Sequence, residues 1–341
     1  MVWHLGTPLR TEQKDPTERL ITCQFLSVLF LTEIFARTGA ATYSRAVRAL
    51  LVMATLAATG LAVAAGIEPR AHYQAGDLAE LRRWAAHAGL AELERGLAAT
   101  DRTDVLTAIV AAPSSPDATA LLPSLARIAG GWDRSLAGPA ARAGYAIAHA
   151  LDGDRALLDE LDDDRLASAA AAWTALADRP DRWSDVRALA VEIALDLTVA
   201  RAATADTVPD RFVAVSAYIS DPDPEVRLAA LERIAIPAPA NAHASLVDRV
   251  IHDDDARVRL VAAQALCAAD AAVAVAALGD EGLTALRAVV SAGLDRPGAI
   301  LDAARCLAAD DDPRSLRTLA QLSHTAPRVV RMPIARLARR R

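Results

Sequence analysis

Histidines, cysteines and three runs of aspartate are the side chains of this sequence whose types suit catalysis or metal binding. His72, His87, His149, His243, His252 and His324 stand apart. No HExxH or HxxxH pair sets two imidazoles on one helix face, so each reads as a surface or seam residue and not as a ligand. The acidic runs Asp162–Asp164, Asp253–Asp255 and Asp310–Asp312 could suggest calcium. None is followed by the glycine and terminal glutamate of an EF-hand loop. Each falls where a helix should begin or end, so capping and solvation account for them. The chain has no GxGxxG, GxxxxGK[ST] or GxSxG signature. Ser114 and Ser115, in 113-PSSPD-117, form a turn before a helix start, with no base in sight. The sequence therefore predicts no catalytic residue, no cofactor-binding residue and no metal ligand.

Cys23, Cys267 and Cys306 form neither a CxxC pair nor a disulfide framework. Cys267 and Cys306 read as small buried apolar residues on helices. A bridge between them requires both side chains to face the same seam between helices. Trp84, Trp132, Trp173 and Trp183 are the largest side chains in a chain with only 4% aromatic residues. They are expected to fill gaps between alanine-rich helices; the alternative is one or two exposed anchors for a partner, since tryptophan is enriched in binding hot spots.

The elements that carry these groups are helices. Hydrophobic residues make up 53% of the chain, most of them Ala, Leu and Val, a composition for close helix packing more than for sheets. From residue 77 onward, apolar residues recur at three- and four-residue spacing, and Asp, Pro and Gly interrupt them every 12 to 18 residues. The parse pairs 117–130 with 134–151, 163–178 with 184–203, 208–220 with 223–235, 241–252 with 255–269, 280–293 with 296–308, and 312–324 with 326–339. Residues 77–112 add a capping pair at the start.

These pairs repeat. The segment 221-DPDPEVRLAALERIA-235 returns 32 residues later as 253-DDDARVRLVAAQALC-267, with Val226 on Val258, Arg227 on Arg259 and Ala230 on Ala262. Upstream, 185-DVRALAVEIAL-195 keeps the frame; downstream, 295-DRPGAILDAARCLA-308 and 327-PRVVRMPIARLA-338 echo it more loosely. Asp223 and Asp255 are placed to cap the helices that follow, and Pro224 suits a first helical position. One such pair cannot bury its own apolar stripe, so the period of about 30 to 45 residues predicts an all-α chain, an α-solenoid of stacked antiparallel helix pairs.

The block D-x-D-x-x-V-R-x-x-A resembles the second helix of HEAT repeats, of the short bacterial type related to bilin lyases. The resemblance is good over 184–270, fair to 338 and weak over 77–183. It implies an armadillo-like fold and a polar ladder between repeats, a role that falls to Asp223 with Arg227 and to Asp255 with Arg259. The 185 block keeps Arg187 but has Trp183 in the aspartate position, which puts its rung in question.

Residues 1–66 differ in kind. Phe25, Phe30, Phe35 and the only lysine, Lys14, all precede residue 40. Arg45 and Arg48 then lead into the apolar run 49-ALLVMATLAATGLAVAA-65, which ends on the small residues Ala62-Val63-Ala64. A basic flank, an apolar stretch and an Ala-x-Ala-like end describe a secretory signal peptide at 46–66. Its position predicts that translation starts near Val47 and that residues 1–45 are a non-native or disordered leader. Two other readings stand beside it. Residues 48–65 could be an uncleaved membrane anchor, about 26 Å long, or a buried helix.

Net charge is −6 and the pI is near 5.7, against the basic excess of duplex-binding proteins. The arginines at 336, 339, 340 and 341 are expected to solvate the last helix and complement its dipole. The function expected is that of a non-enzymatic scaffold or adaptor that binds a protein partner, exported to the periplasm or cell envelope, with no nucleic acid. If 46–66 is not a signal, it is cytoplasmic. The alternative is an enzyme on the same scaffold, either bilin-lyase-like or an alkylated-base DNA glycosylase.

Overall fold

A computed structural model describes residues 69–151, 163–204, 211–234, 236, 238–268 and 270–339. The chain divides into two units, Met1–Gly66 and Ile67–Arg341. The first lies outside the described residues, and with it the leader, the signal or anchor at 46–66 and Cys23. Every regular element among the described residues is helical, as the spacing predicts. They are α1 (Pro69–Ala75), α2 (Leu78–Ala85), α3 (Leu90–Leu97), α4 (Arg102–Ala111), α5 (Leu122–Ala129), α6 (Arg134–Leu151), α7 (Asp163–Ala177) and α8 (Ser184–Thr204). Then come α9 (Arg211–Val215), α10 (Pro224–Glu232), α11 (His243–His252), α12 (Ala256–Cys267), α13 (Ala271–Val290), α14 (Pro297–Ala309), α15 (Pro313–Thr325) and α16 (Arg328–Arg339). Among these, no helix is long and apolar enough to cross a membrane.

Two sets of contacts order the helices. In the first, a helix packs on its chain neighbour: α3 on α4, α5 on α6, α7 on α8, α11 on α12, α13 on α14, α15 on α16. In the second, contacts skip one helix, running α4 to α6, α6 to α8, α8 to α10, α10 to α12, α12 to α14 and α14 to α16. Helices of this second row are therefore flanked on several sides, which explains their composition. On α12, eight residues between Val258 and Cys267 are buried, and three of them are alanine. Gly144 on α6 shows how close the approach is: a Cβ there would collide with Cζ2 of the fully buried Trp173.

Aspartate caps start many of these helices. Asp77, Asp101, Asp133, Asp223, Asp255, Asp270 and Asp312 each accept from a backbone N–H of the first turn. Asp223 and Asp255 do so as expected. Several features differ from the parse: α1 precedes residue 77, and the helix expected over 208–220 stands at Arg211–Val215, with 216–220 in turns. Residues 77–112 hold three short helices in place of one pair. Residues 271–278, left without an element, open α13, whose two halves meet at Gly279 (φ 59°, ψ −171°), a conformation open to glycine alone. Cys267 and Cys306 are buried as expected but also bonded to each other, with Cα atoms 5.7 Å apart. The bridge ties α12 to α14, whose facing sides share one seam.

The polar ladder exists, with other partners than the resemblance implies. Arg227 donates Nε and Nη2 to Asp253 at 2.9 and 2.8 Å, reaches Asp254, and donates Nη1 to the carbonyls of Asp221 and Pro222. Arg187 bonds Asp221 at 2.5 and 3.2 Å and the carbonyl of Ala177 at 3.0 Å. Arg287 reaches Asp310, whose carboxylate also takes the Ser315 hydroxyl. In each D-x-D pair the second aspartate caps the helix. The first, Asp221, Asp253 or Asp310, receives the arginine and also accepts the amide of the second. The 185 block is thus a full rung despite Trp183. Arg259, expected to pair with Asp255, instead donates to the carbonyl of Asp253. The position ahead of it that matches Asp253 is Leu294.

Burial pushes the Asp253 carboxyl up, but the Arg227 hydrogen bonds and the Asp255 amide outweigh it and hold it below the usual carboxylate range. Its share of stability is therefore present above pH 3.8 and is lost as pH falls through the lowered value. Removing Arg227 leaves the Asp253 side chain buried, at 0% exposure, with Arg249 at 3.4 Å as its remaining cationic contact. Arg227→Ala is expected to cost about 3–5 kcal/mol in urea unfolding, against about 1 kcal/mol for Arg259→Ala. Similar losses for both would mean the rung is not the stronger contact. Cys306→Ser is expected to lose about 2–4 kcal/mol under oxidising conditions and nothing in excess reductant.

Candidate functional site

The second-row helices pack side by side, so the polar stripes on their outer faces adjoin. On α6, Arg142, Tyr145, Ala146 and His149 lie three and four residues apart and share a face. On α8, Glu192 and Asp196 are one turn apart; Arg233 follows the last turn of α10. Arg233 joins all three helices. Its Nε and Nη2 donate to Glu192 Oε2 at 3.1 and 2.7 Å, its Nη1 to Asp196 Oδ1 at 2.9 Å, and its Nη2 to Tyr145 Oη at 3.3 Å. The guanidinium lies 5.7 Å from the Tyr145 ring centre, and that ring stacks on His149 at 5.5 Å. Next to Arg233, Glu232 pairs with Arg296 from the start of α14.

Burial shapes the charges. Glu192 is raised above the usual glutamate value because burial disfavours its ionised form, an effect the Arg233 hydrogen bond offsets only in part. For Arg233, burial opposes the charge, but Asp196 and Glu192 outweigh it and keep the guanidinium charged well past any physiological pH. Both carboxylates are held by one cation, which suits a preorganised polar surface better than a base poised for proton transfer.

Along the same face of α6, an apolar groove of about 320 Å³ opens between α4 and α6. Tyr73, Leu106, Ile109, Pro139, Arg142 and Ala146 line it. Arg142 and Ala146 thus stand between the groove and Tyr145 with His149.

The residues singled out from sequence fall in several places. Trp84 and Trp173 are core. Trp132 is 69% exposed, with the Arg182 guanidinium 3.8 Å from its ring centre, and Arg134 lies 4.9 Å over half-buried Trp183. These two reciprocal cation–π pairs join the loop before α6 to the loop before α8. Of the histidines, His149 alone reaches the cluster. Asp253–Asp255 and Asp310–Asp312 serve as rungs and caps. No group of three or more His, Cys, Asp or Glu among the described residues could hold a metal ion. The sequence reading missed Tyr145, Glu192, Asp196 and Arg233. No local motif marks them, because they meet only through packing across 37 to 88 residues of chain.

Compared with protein-family models, with curated proteins and with solved structures, the chain matches none.

The raised Glu192 gives a test of this geometry. A carboxyl held above its unfolded value favours the fold at low pH and loses that contribution as pH rises through 4.5 to the folded value. Urea unfolding between pH 4 and 7 is expected to show this component in the native chain and not in Glu192→Gln. An unchanged profile would mean that Glu192 is solvated in the folded protein.

Proposed function

We propose that residues 77–339 form an α-solenoid of HEAT-like helix pairs that works as a non-enzymatic scaffold, binding a protein partner across its second-row helices. The observation that carries this reading is the continuity of the α4–α6 groove with the polar cluster on α6, α8 and α10. Support for the solenoid comes from the contacts that skip one helix and from the arginine–aspartate rung present at both the α8–α10 and the α10–α12 junction. An extended or helical segment of the partner seats an apolar side chain in the groove, between Leu106, Ile109 and Ala146. Its polar groups meet Tyr145, His149 and the Glu192–Arg233 pair.

Export to the periplasm or cell envelope belongs to the same reading. It is supported by the arginine-led apolar run 49–65 and by the bridge between Cys267 and Cys306, since disulfides persist in oxidising compartments and are rare where thiols are kept reduced.

The experiment is site-specific photo-cross-linking from His149 in cells, followed by fractionation of the envelope. One reproducible adduct is expected. Ala146→Trp, which fills the groove, and Arg233→Glu, which breaks the cluster, are each expected to reduce it by about tenfold or more, the scale of a hot-spot loss. Adduct yield indifferent to both variants would refute this face as the binding surface, and recovery of the oxidised protein from the cytoplasm alone would refute export.

A further inference from the structure

We propose that the outer face of α16 docks on an anionic lipid surface. Residues 313–341 contain eight arginines and no acidic residue, so residues 1–312 carry a formal net charge of −14 in a chain whose total is −6. Positive charge is thus concentrated in one segment of an otherwise acidic protein. Helix α16 uses one side, Val330 and Ile334, to bury itself against the rest of the fold. Its opposite side is not simply polar. Val329 is 72% and Met332 65% exposed, and the 100° turn per residue places both within an arc shared by Arg328, Arg336 and Arg339. Those three arginines are exposed and make no ion pair among the described residues, whereas Arg331 is spent on the carbonyl of Ala326 at 2.6 Å.

Apolar side chains ringed by unpaired cations suit a surface that offers phosphates and acyl chains together. The segment from Ala326 onward has no aromatic side chain to serve as the anchor a protein partner exploits. Long arginine side chains reach headgroup phosphates while Val329 and Met332 enter the boundary below them. This surface is distinct from the α4–α10 face, and its test does not depend on the partner proposed there.

Cosedimentation of the full chain with vesicles decides the matter, comparing phosphatidylcholine alone with phosphatidylcholine containing phosphatidylglycerol. The apolar run 49–65 partitions into both kinds alike, so the signal is the excess binding to the anionic vesicles. That excess is expected to fall about 25-fold in Arg336→Gln with Arg339→Gln, about fivefold for each arginine removed. Val329→Ser with Met332→Ser, charge intact, is expected to reduce it about tenfold. Arg328→Gln, the mildest change, should lower it about fivefold, and all five positions are exposed, so folding is not at stake. Equal binding to both vesicle types overturns the proposal. So does binding unaffected by the serine pair, or competition by polyglutamate as effective as that by anionic vesicles, which would assign the face to an acidic protein.

Discussion

A helix that is mostly alanine and valine along its buried flanks has short side chains to offer, and dispersion falls off steeply with distance. It is stable only where its neighbours come close. That constraint governs the second row from α4 to α16. Gly144 beneath Trp173 and the alanines of α12 are its local expressions, and bulkier residues there would force the rows apart. Close approach has a second consequence. The loops at the ends of adjacent helices are drawn together, and polar groups in them lose water. The buried arginines meet that demand. Arg187 satisfies Asp221 together with the carbonyl of Ala177 at the end of α7, and Arg227 satisfies Asp253 together with the loop carbonyls of Asp221 and Pro222, so one side chain meets a buried charge and unpaired carbonyls at once. The disulfide and the Arg187 and Arg227 rungs thus act at the same kind of place, between one second-row helix and the next.

Helix positions were legible in the sequence because caps and apolar spacing are local. The segments 163–178 and 184–203 were expected and stand at Asp163–Ala177 and Ser184–Thr204. The partner of Arg227 was not. Position in the motif pointed to Asp223, which faces the first turn of the arginine's own helix and accepts the Glu225 amide there. The arginine turns to a carboxylate of the following loop, Asp253. The alternation in D-x-D held this information: two aspartates two apart, with one job at the cap, leave the other for a neighbour. Gly279 was missed for the opposite reason. The positive φ at Gly279 breaks the helical path, and the alanine-rich run 271–278 behind the Asp270 cap carried a helix signal that the parse passed over.

The Arg233 cluster was illegible for a deeper reason. Tyr145, Glu192, Asp196 and Arg233 are ordinary surface types on amphipathic helices, and their meeting depends on the lateral register of α6, α8 and α10. Register is set by the packed faces, by which alanine lies against which leucine, and it is not written near the polar residues it aligns. The same holds for the disulfide. Spacing of 39 residues put Cys267 and Cys306 about one repeat apart, but whether their sulfurs meet depends on the rotation of α12 against α14.

Placing the strong polar contacts in loops and seams has a functional corollary. A helix whose position is fixed by its buried flanks and its end contacts can vary its outward residues with little effect on its neighbours. On the proposed reading, this is why the chain can carry two unlike surfaces. The face along α6, α8 and α10 joins an apolar groove to a cation that organises two carboxylates and a tyrosine, features suited to a shaped partner. The outer side of α16 has loose cations around two aliphatic side chains, features suited to a deformable one. Neither surface overlaps a rung or the Cys267–Cys306 bridge, so each can be altered by exposed substitutions while the helix rows keep their spacing.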